Sequence, residues 1–407
     1  MVVAIVDTGI DLGHVDVEAN IWTNVGEIAG NGIDDDHNGY VDDIHGWDFA
    51  NRDNNPQDQN NHGTHVAEIV AAESNGFGAT GVAFNATVMP VQVLGTNGSG
   101  ASYNVAAGIR YAVDNGADVV NLSLGGGGVS RSISSALTYA QQHDVLAVAA
   151  SGNSVTSIPD YPARYSESLT NVISVGAHNQ SNRIAGFSND VGFTNTVQVD
   201  APGVSVYSTV VGNRYSWFSG TSMAAPQVAG LAALTISANP NLSASQVRSL
   251  IVGGATRTIS QSDANGGVNA AVTVARAQNP SASNVSGTSS SGTNSNNGFV
   301  RLSGSTVVRN RFRWYATIHP DFVAPALATE LSPRTELSVT GSTVPTASSI
   351  SQTVNDRQIA AYRHSEGVVA DLLANDGQAE TADVDQALAE GIIGNDELGT
   401  KGIGPNV

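Results

Sequence analysis

Short β-branched runs punctuate the first two thirds of the chain. Val2–Val6, Thr87–Leu94, Asp118–Ser123, Val145–Ala150 and Val172–Ala177 are nearly continuous apolar stretches, the pattern of strands buried on both faces. Amphipathic segments lie between them. After the turn-forming GTNGSG, Val105, Ile109, Ala112 and Val113 recur at helical spacing, so one face of that segment is apolar. Ser243 and Gln246 form an S-x-x-Q capping box that predicts the start of a later helix. Strands alternating with helices predict the α/β class: a mainly parallel sheet with helices on both faces, its functional residues at the carboxyl ends of the strands.

This pattern stops near Asn279. Residues 280–298, PSASNVSGTSSSGTNSNNG, hold almost nothing that can be buried and read as a flexible Ser/Asn/Gly linker. Residues 299–407 begin with strand-like FVRLSG and RFRWYATI and end with helix-like EGVVADLLA and DVDQALAEG, consistent with a small α+β unit or with a partly disordered tail. The expected organisation is a domain over 1–279, the linker, and a C-terminal region whose fold and function the pattern leaves open. A chain of 407 residues is long enough for one large core plus such an appendage.

Composition narrows the partners. Only 13% of residues are charged, the net charge is −19, and Lys401 is the sole lysine, so nucleic acid and anionic membranes are poor partners. The absence of cysteine removes disulfides, thiol nucleophiles and Cys-based zinc sites. No apolar stretch approaches the length of a membrane helix. The strand-like run directly after Met1 suggests a leader and an upstream segment missing from this chain, or an expression boundary.

VVAIVDTGID, residues 2–11, ends a strand with an acid. An aspartic protease also carries D-T-G after hydrophobics, but it needs two such acids sharing a proton, and no second D-T-G or D-S-G occurs; a homodimer would have to supply one. The competing reading needs a base and a nucleophile in the same domain. NHGTHVAEI offers His62 and FSGTSMAAPQVAG offers Ser222, in the order Asp, His, Ser. A serine hydroxyl attacks only when a base takes its proton, and a neutral imidazole does so near pH 7 when a carboxylate fixes its tautomer.

DTGID, NHGTH, NLSLGG, ASGN and GTSMAAP, in that order over about residues 1–279, resemble the subtilisin-like serine proteases, the subtilases. The resemblance implies a three-layer α/β/α fold and a secreted serine endopeptidase that forms an acyl-enzyme on polypeptide substrates. Ser222 would be the nucleophile, His62 the base and Asp7 its orienting acid. Asn153 and the Ser222 amide would donate to the oxyanion. Ser123, Leu124 and Gly125 would pair with substrate as an added strand, and Ala150, Ser151 and Gly152 would line the pocket before the scissile bond, with Asp160 a candidate for its floor. An upstream propeptide that guides folding would be absent from this chain. Ser222 is expected to begin a helix with Pro226 in or near its first turn.

Two acidic segments suggest structural Ca²⁺, and no organic cofactor is expected. In GNGIDDDHNGYVDDIHGWDF, Asp34, Asp36, Asn38, the Tyr40 carbonyl, Asp42 and Asp43 could wrap a cation, although His45 stands where an EF-hand has its bidentate Glu. By resemblance alone, Asp16 and Asn75, with carbonyls of Glu73, Phe77 and Ala79, form a second candidate.

Other motifs are weaker. His65 lacks an H-E-x-x-H context and reads as a packing histidine. G-x-S-x-A at Ser222 misses the last glycine of a nucleophile elbow, and SLGGGG lacks the ending of a phosphate loop. Two positions depart from the family pattern: Glu68 replaces the glycine of HGTHVAG, and Gln227 the histidine of PHVAG. A buried unpaired Glu is costly, so Glu68 is expected to pair with a polar neighbour or shift its helix. The alternative function is therefore a catalytically impaired fold serving as a calcium-stabilised binding or scaffold module.

Overall fold

The structure is a computed structural model that describes residues 1–126, 128–256, 259 and 264–279, with the backbone of 299–301, 307–309 and 404–405. The expected linker 280–298 and most of 299–407 lie outside the described residues. The elements in chain order are β1 (Val2–Asp7), β2 (Trp47–Asp48), α1 (His62–Ala71), β3 (Thr87–Gln92), α2 (Ser102–Asp114), β4 (Val119–Leu122), β5 (Leu124–Gly125), α3 (Arg131–Gln142), β6 (Leu146–Ala150), β7 (Val172–His178), β8 (Gln198–Pro202), β9 (Val206–Val210), β10 (Arg214–Phe218), α4 (Thr221–Ala238), α5 (Ala244–Gly254), α6 (Ala270–Gln278), β11 (Phe299–Arg301), β12 (Val307–Arg309) and β13 (Gly404–Pro405). Two compact units are distinguished: Met1–Ala324 with Lys401–Val407, and Pro325–Thr400, which lies outside the described residues.

Seven parallel strands form the main sheet in the order β2-β3-β1-β4-β6-β7-β8. The period of two along each strand sorts the apolar side chains into two cores. Val3, Ile5, Val119, Val148 and Val175 pack with α1, α4, α5 and α6, whereas Ala4, Val6, Val120, Leu122 and Ala149 pack with α2 and α3. Both sheet faces are therefore dry, which is why these strands read as apolar runs and not as alternating ones. The chain thus builds the expected mainly parallel sheet with helices on both sides, a three-layer α/β/α arrangement.

The element starts follow local chemistry. Ser243 and Gln246 cap α5 reciprocally, and Ser130 Oγ accepts from the Ile133 amide at the start of α3. Helix α4 differs from expectation. Ser222 is its second residue, and Pro226 lies more than one turn inside it. A proline at 226 has no N–H for the carbonyl of residue 222. That carbonyl instead accepts a hydrogen bond from Ser123 Oγ at 2.8 Å. The proline is tolerated because the carbonyl it deprives is used to tie α4 to the end of β4.

Candidate active site

Asp7 ends β1 and His62 begins α1, and the turn between strand and helix is crowded. Gly9 has φ +100°, and a β-carbon at Gly63 would run into the Gly9 carbonyl oxygen, so D-T-G and H-G-T are two halves of one close approach. Thr8 locks it: its Oγ1 accepts from the Gly63 amide at 2.9 Å and donates to Asp58 Oδ1 at 3.0 Å. Asp58 also accepts from Thr64 N, Thr64 Oγ1 and the amides of Asn60 and Asn61. Its buried carboxyl is pushed above the usual carboxylate range by desolvation, against those hydrogen bonds. In consequence Asp7 Oδ1 lies 2.7 Å from His62 Nδ1 while also accepting from the Thr8 amide at 2.7 Å, and both side chains are buried. Asp7 Oδ2 and His62 Nε2 are buried without hydrogen-bond partners. An imidazole with Nδ1–H held by a carboxylate has its free lone pair on Nε2, the tautomer a general base requires.

Ser222 approaches from α4. Its Oγ donates to the Ser123 carbonyl at 3.1 Å, and Ser123 Oγ returns a bond to the Ser222 carbonyl. Asn121 Nδ2 supports Ser123 Oγ at 2.9 Å. The hydroxyl is thus fixed to the end of β4, beside β1. Asn153 follows the end of β6, two strands from β1. Its Oδ1 accepts from Thr221 N at 3.0 Å and Thr221 Oγ1 at 2.9 Å, which turns the amide nitrogen the other way. Asn153 Nδ2 is buried and has no partner. An unpaired buried donor beside the N-terminus of α4 is ordinarily destabilising, and it becomes favourable when an anion forms next to it.

The sequence-predicted substrate residues fall on two neighbouring strand ends. Ser123 links β4 to β5 (Leu124–Gly125), and Ala150, Ser151 and Gly152 carry β6 into the Asn153 loop. Asn189 secures that loop, accepting from the amides of Ser154 and Thr156 and donating to the Ser151 carbonyl. A β-carbon at Gly152 would collide with the Asn189 amide and the Asp160 carboxylate, so Asp160 does border this loop; desolvation raises its carboxyl above the ordinary value.

His65 is stacked on Phe218 at 4.3 Å and its Nε2 contacts the carbonyls of Val206 and Ser216. Burial first, and His62 second, push it down to about 3, so it remains neutral and joins α1 to β9 and β10. Gln227 donates to the Pro202 carbonyl at 2.9 Å, giving the histidine replacement a structural partner. Glu68 points at β9: Oε2 accepts from Ser208 Oγ at 2.8 Å and from the Thr209 amide. Burial, reinforced by the charge of Asp16, pushes its carboxyl up to about 8, against the Ser208 hydrogen bond. The folded state therefore prefers the protonated acid. Its stabilising contribution is complete below the ordinary value near 4.5 and is lost as pH climbs from there through about 8, at roughly 1.4 kcal/mol per unit. Glu68→Gln keeps the acceptor without the charge. Its melting temperature should match the parent at pH 5 and exceed it by several degrees at pH 9; equal values at pH 9 would contradict this account.

The acidic loop between β1 and β2 is folded around its carboxylates. Asp34 accepts from the amides of Asn38 and Gly39, and Asp42 from those of Asn31 and Gly32, so both serve turns. Asp36 and Asp43 converge with Glu27, each offering an oxygen within 4.8 Å of the others. Glu27 was not foreseen, because it precedes the spaced acids and no motif period includes it. Asn38 Nδ2 bridges Asp36 and Asp43, and Tyr111 donates to Asp43 Oδ2 at 2.5 Å. Tyr40 packs its ring on Trp47, Phe49 and Tyr111, anchoring the loop to α2. At the second candidate, Asn75 and the Ala79 amide both donate to Asp16, which also accepts from Tyr215. Hard carboxylate and carbonyl oxygens of this kind fit Ca²⁺.

The subtilase family matches residues 1–272. A thermophilic serine proteinase from Bacillus sp. (strain AK1) is 42% identical over 240 residues, 59% of this chain and 53% of that protein. Thermitase from Thermoactinomyces vulgaris is 40% identical over 250 residues, 61% and 78% of the two chains. The match thus spans about half the length of the first relative and more of the second. Among solved structures, a cold adapted subtilisin-like serine proteinase shares 30% identity with a TM-score of 0.53, covering 66% of this chain and 86% of that one.

Proposed function

Because the chain belongs to the subtilase family, we propose that it is a serine endopeptidase that hydrolyses polypeptides through an acyl-enzyme. Ser222 Oγ attacks the scissile carbonyl as His62 Nε2 takes its proton. Asp7 holds Nδ1–H and stabilises the imidazolium. Asn153 Nδ2 and the Ser222 amide donate to the oxyanion, and His62 then returns its proton to the leaving amine. Water repeats the sequence to release the acyl product. Ser123, Leu124 and Gly125 hold substrate as an added strand, and Ala150 to Gly152 wall the pocket before the scissile bond.

The observation that carries this reading is the set of unpartnered buried atoms. His62 Nε2 and Asn153 Nδ2, an acceptor on a carboxylate-anchored imidazole and a lone donor, are what a transition state would satisfy. Asn153→Leu tests it. The variant should keep KM and lose roughly 10²–10³ in kcat, a magnitude established for subtilisin and carried over to this relative. An unchanged kcat on a peptide substrate would remove Asn153 from the mechanism. A scaffold module without turnover has no use for these orphaned atoms, whose burial costs stability.

Calcium supports the fold in this proposal. Glu27, Asp36 and Asp43 would hold one ion and the Asp16 and Asn75 loop a second, relieving repulsion among clustered acids. Chelation should lower the melting temperature by about 5–10 °C, with added calcium restoring it. A melting curve indifferent to chelator would argue that the acids are self-sufficient. Export from the cell accords with the acidic, cysteine-free composition; among the described residues no helix is long and apolar enough to cross a membrane.

A further inference from the structure

Among the described residues, strand β5 has one strand partner, and that partner comes from the far end of the chain. Gly404 and Pro405 of β13 run antiparallel to it, with Gly404 opposite Gly125 and Pro405 opposite Leu124. Lys401–Val407 belong to the same compact unit as Met1–Ala324. β5 begins one residue after Ser123, which exchanges hydrogen bonds with Ser222. An antiparallel register moves one residue toward Ser123 for each residue toward the carboxyl end of the chain. The pair Pro405–Leu124 is therefore the one next to Ser123, whose carbonyl accepts from the Ser222 hydroxyl.

We infer that the C-terminal segment around Gly404–Pro405 is a built-in ligand of the proposed peptidase cleft, occupying the edge of β5 in the direction and register of a substrate's acyl side. The inference rests on the peptidase reading for its meaning, and on the β5–β13 pairing for its geometry. Residue types agree with it. Antiparallel pairs alternate between hydrogen-bonded and non-bonded, so a proline is accommodated only in a non-bonded pair. Pro405 opposite Leu124 makes Gly404–Gly125 the bonded pair, in which both backbones exchange N–H and C=O. Two glycines there present no β-carbons to one another. The occupant also defines a substrate class: extended peptides with Gly-Pro as the third and second residues before the scissile bond fit the same edge.

A tethered segment competes at an effective concentration near 1 mM, so with an affinity of about 0.1 mM it leaves roughly a tenth of the sites free. The test compares the full chain with a chain ending at Thr400, with Gly404→Pro in the full chain as a second variant. Exchange of the Gly125 amide should be about tenfold faster in both variants, at any protein concentration. The apparent KM for a short chromogenic peptide should fall by a similar factor with kcat unchanged. The free heptapeptide Lys-Gly-Ile-Gly-Pro-Asn-Val, added to the shortened chain, should slow Gly125 exchange and compete with substrate in initial rates. Equal Gly125 exchange in all three chains, or a heptapeptide that does not protect Gly125, would overturn the inference. The two readings fail separately. Changed exchange with no turnover in any chain leaves the docking and removes the peptidase; equal exchange with equal turnover does the reverse.

Discussion

Replacing Ser222 by alanine is expected to lower kcat on a peptide substrate by about 10⁶ while leaving KM and melting temperature near those of the parent, the scale of loss known for the corresponding serine of subtilisin. Structure explains why so small a deletion should be clean. The Ser222 hydroxyl donates to the Ser123 carbonyl, while the bond that ties α4 to β4 runs from Ser123 Oγ to the Ser222 main-chain carbonyl and survives the change. Folding and chemistry are therefore separable at this position. A variant that retained more than about one part in 10⁴ of the parent rate, in a preparation free of contaminating protease, would exclude Ser222 as nucleophile.

Asp7→Asn is expected to cost about 10⁴ in kcat, again with little change in KM, because Asp7 touches the imidazole and not the substrate. Asp7 Oδ1 accepts from both the Thr8 amide and His62 Nδ1, and Oδ2 is buried with no donor. An asparagine can retain the first two bonds only by burying its NH₂ where nothing accepts it. Turned the other way, it offers a donor to Nδ1 and moves the imidazole proton to Nε2, which then cannot accept from Ser222. In either orientation the imidazolium formed during attack loses its counter-charge. Kinetics of Asp7→Asn with a loss below tenfold would show that the His62 contact is structural only.

The five strands visible as apolar runs, β1, β3, β4, β6 and β7, were legible because burial on both faces leaves no reason for polar residues inside them. β8 was not, since Gln198 and Asp200 interrupt it. Gln198 is accommodated by a hydrogen bond from Ser174 Oγ to its side-chain oxygen, a partner no local pattern reveals. The β9–β10 hairpin was missed for a related reason: it lies apart from the main sheet, and its buried side receives Glu68 and His65 from α1. The same contact gives the glutamate that replaces the family's glycine its partners: it reaches β9, which offers Ser208 and Thr209. At the candidate site the motif residues could be picked out, because each needs a specific atom type at a strand end or helix start. Asp58 and Thr8, which hold His62 by hydrogen-bonding its helix, carry no such signature. Glu27 escaped notice because ligands brought together by a folded loop need not share a sequence period.

Mass spectrometry of the protein treated with a fluorophosphonate tests the central claim most directly, because the reagent reports a serine activated by a base and an oxyanion site together. The adduct should map to Ser222 alone, be lost in Ser222→Ala, and form far more slowly in Asp7→Asn and Asn153→Leu. An adduct on another residue, or labelling that persists in Ser222→Ala, would contradict the account.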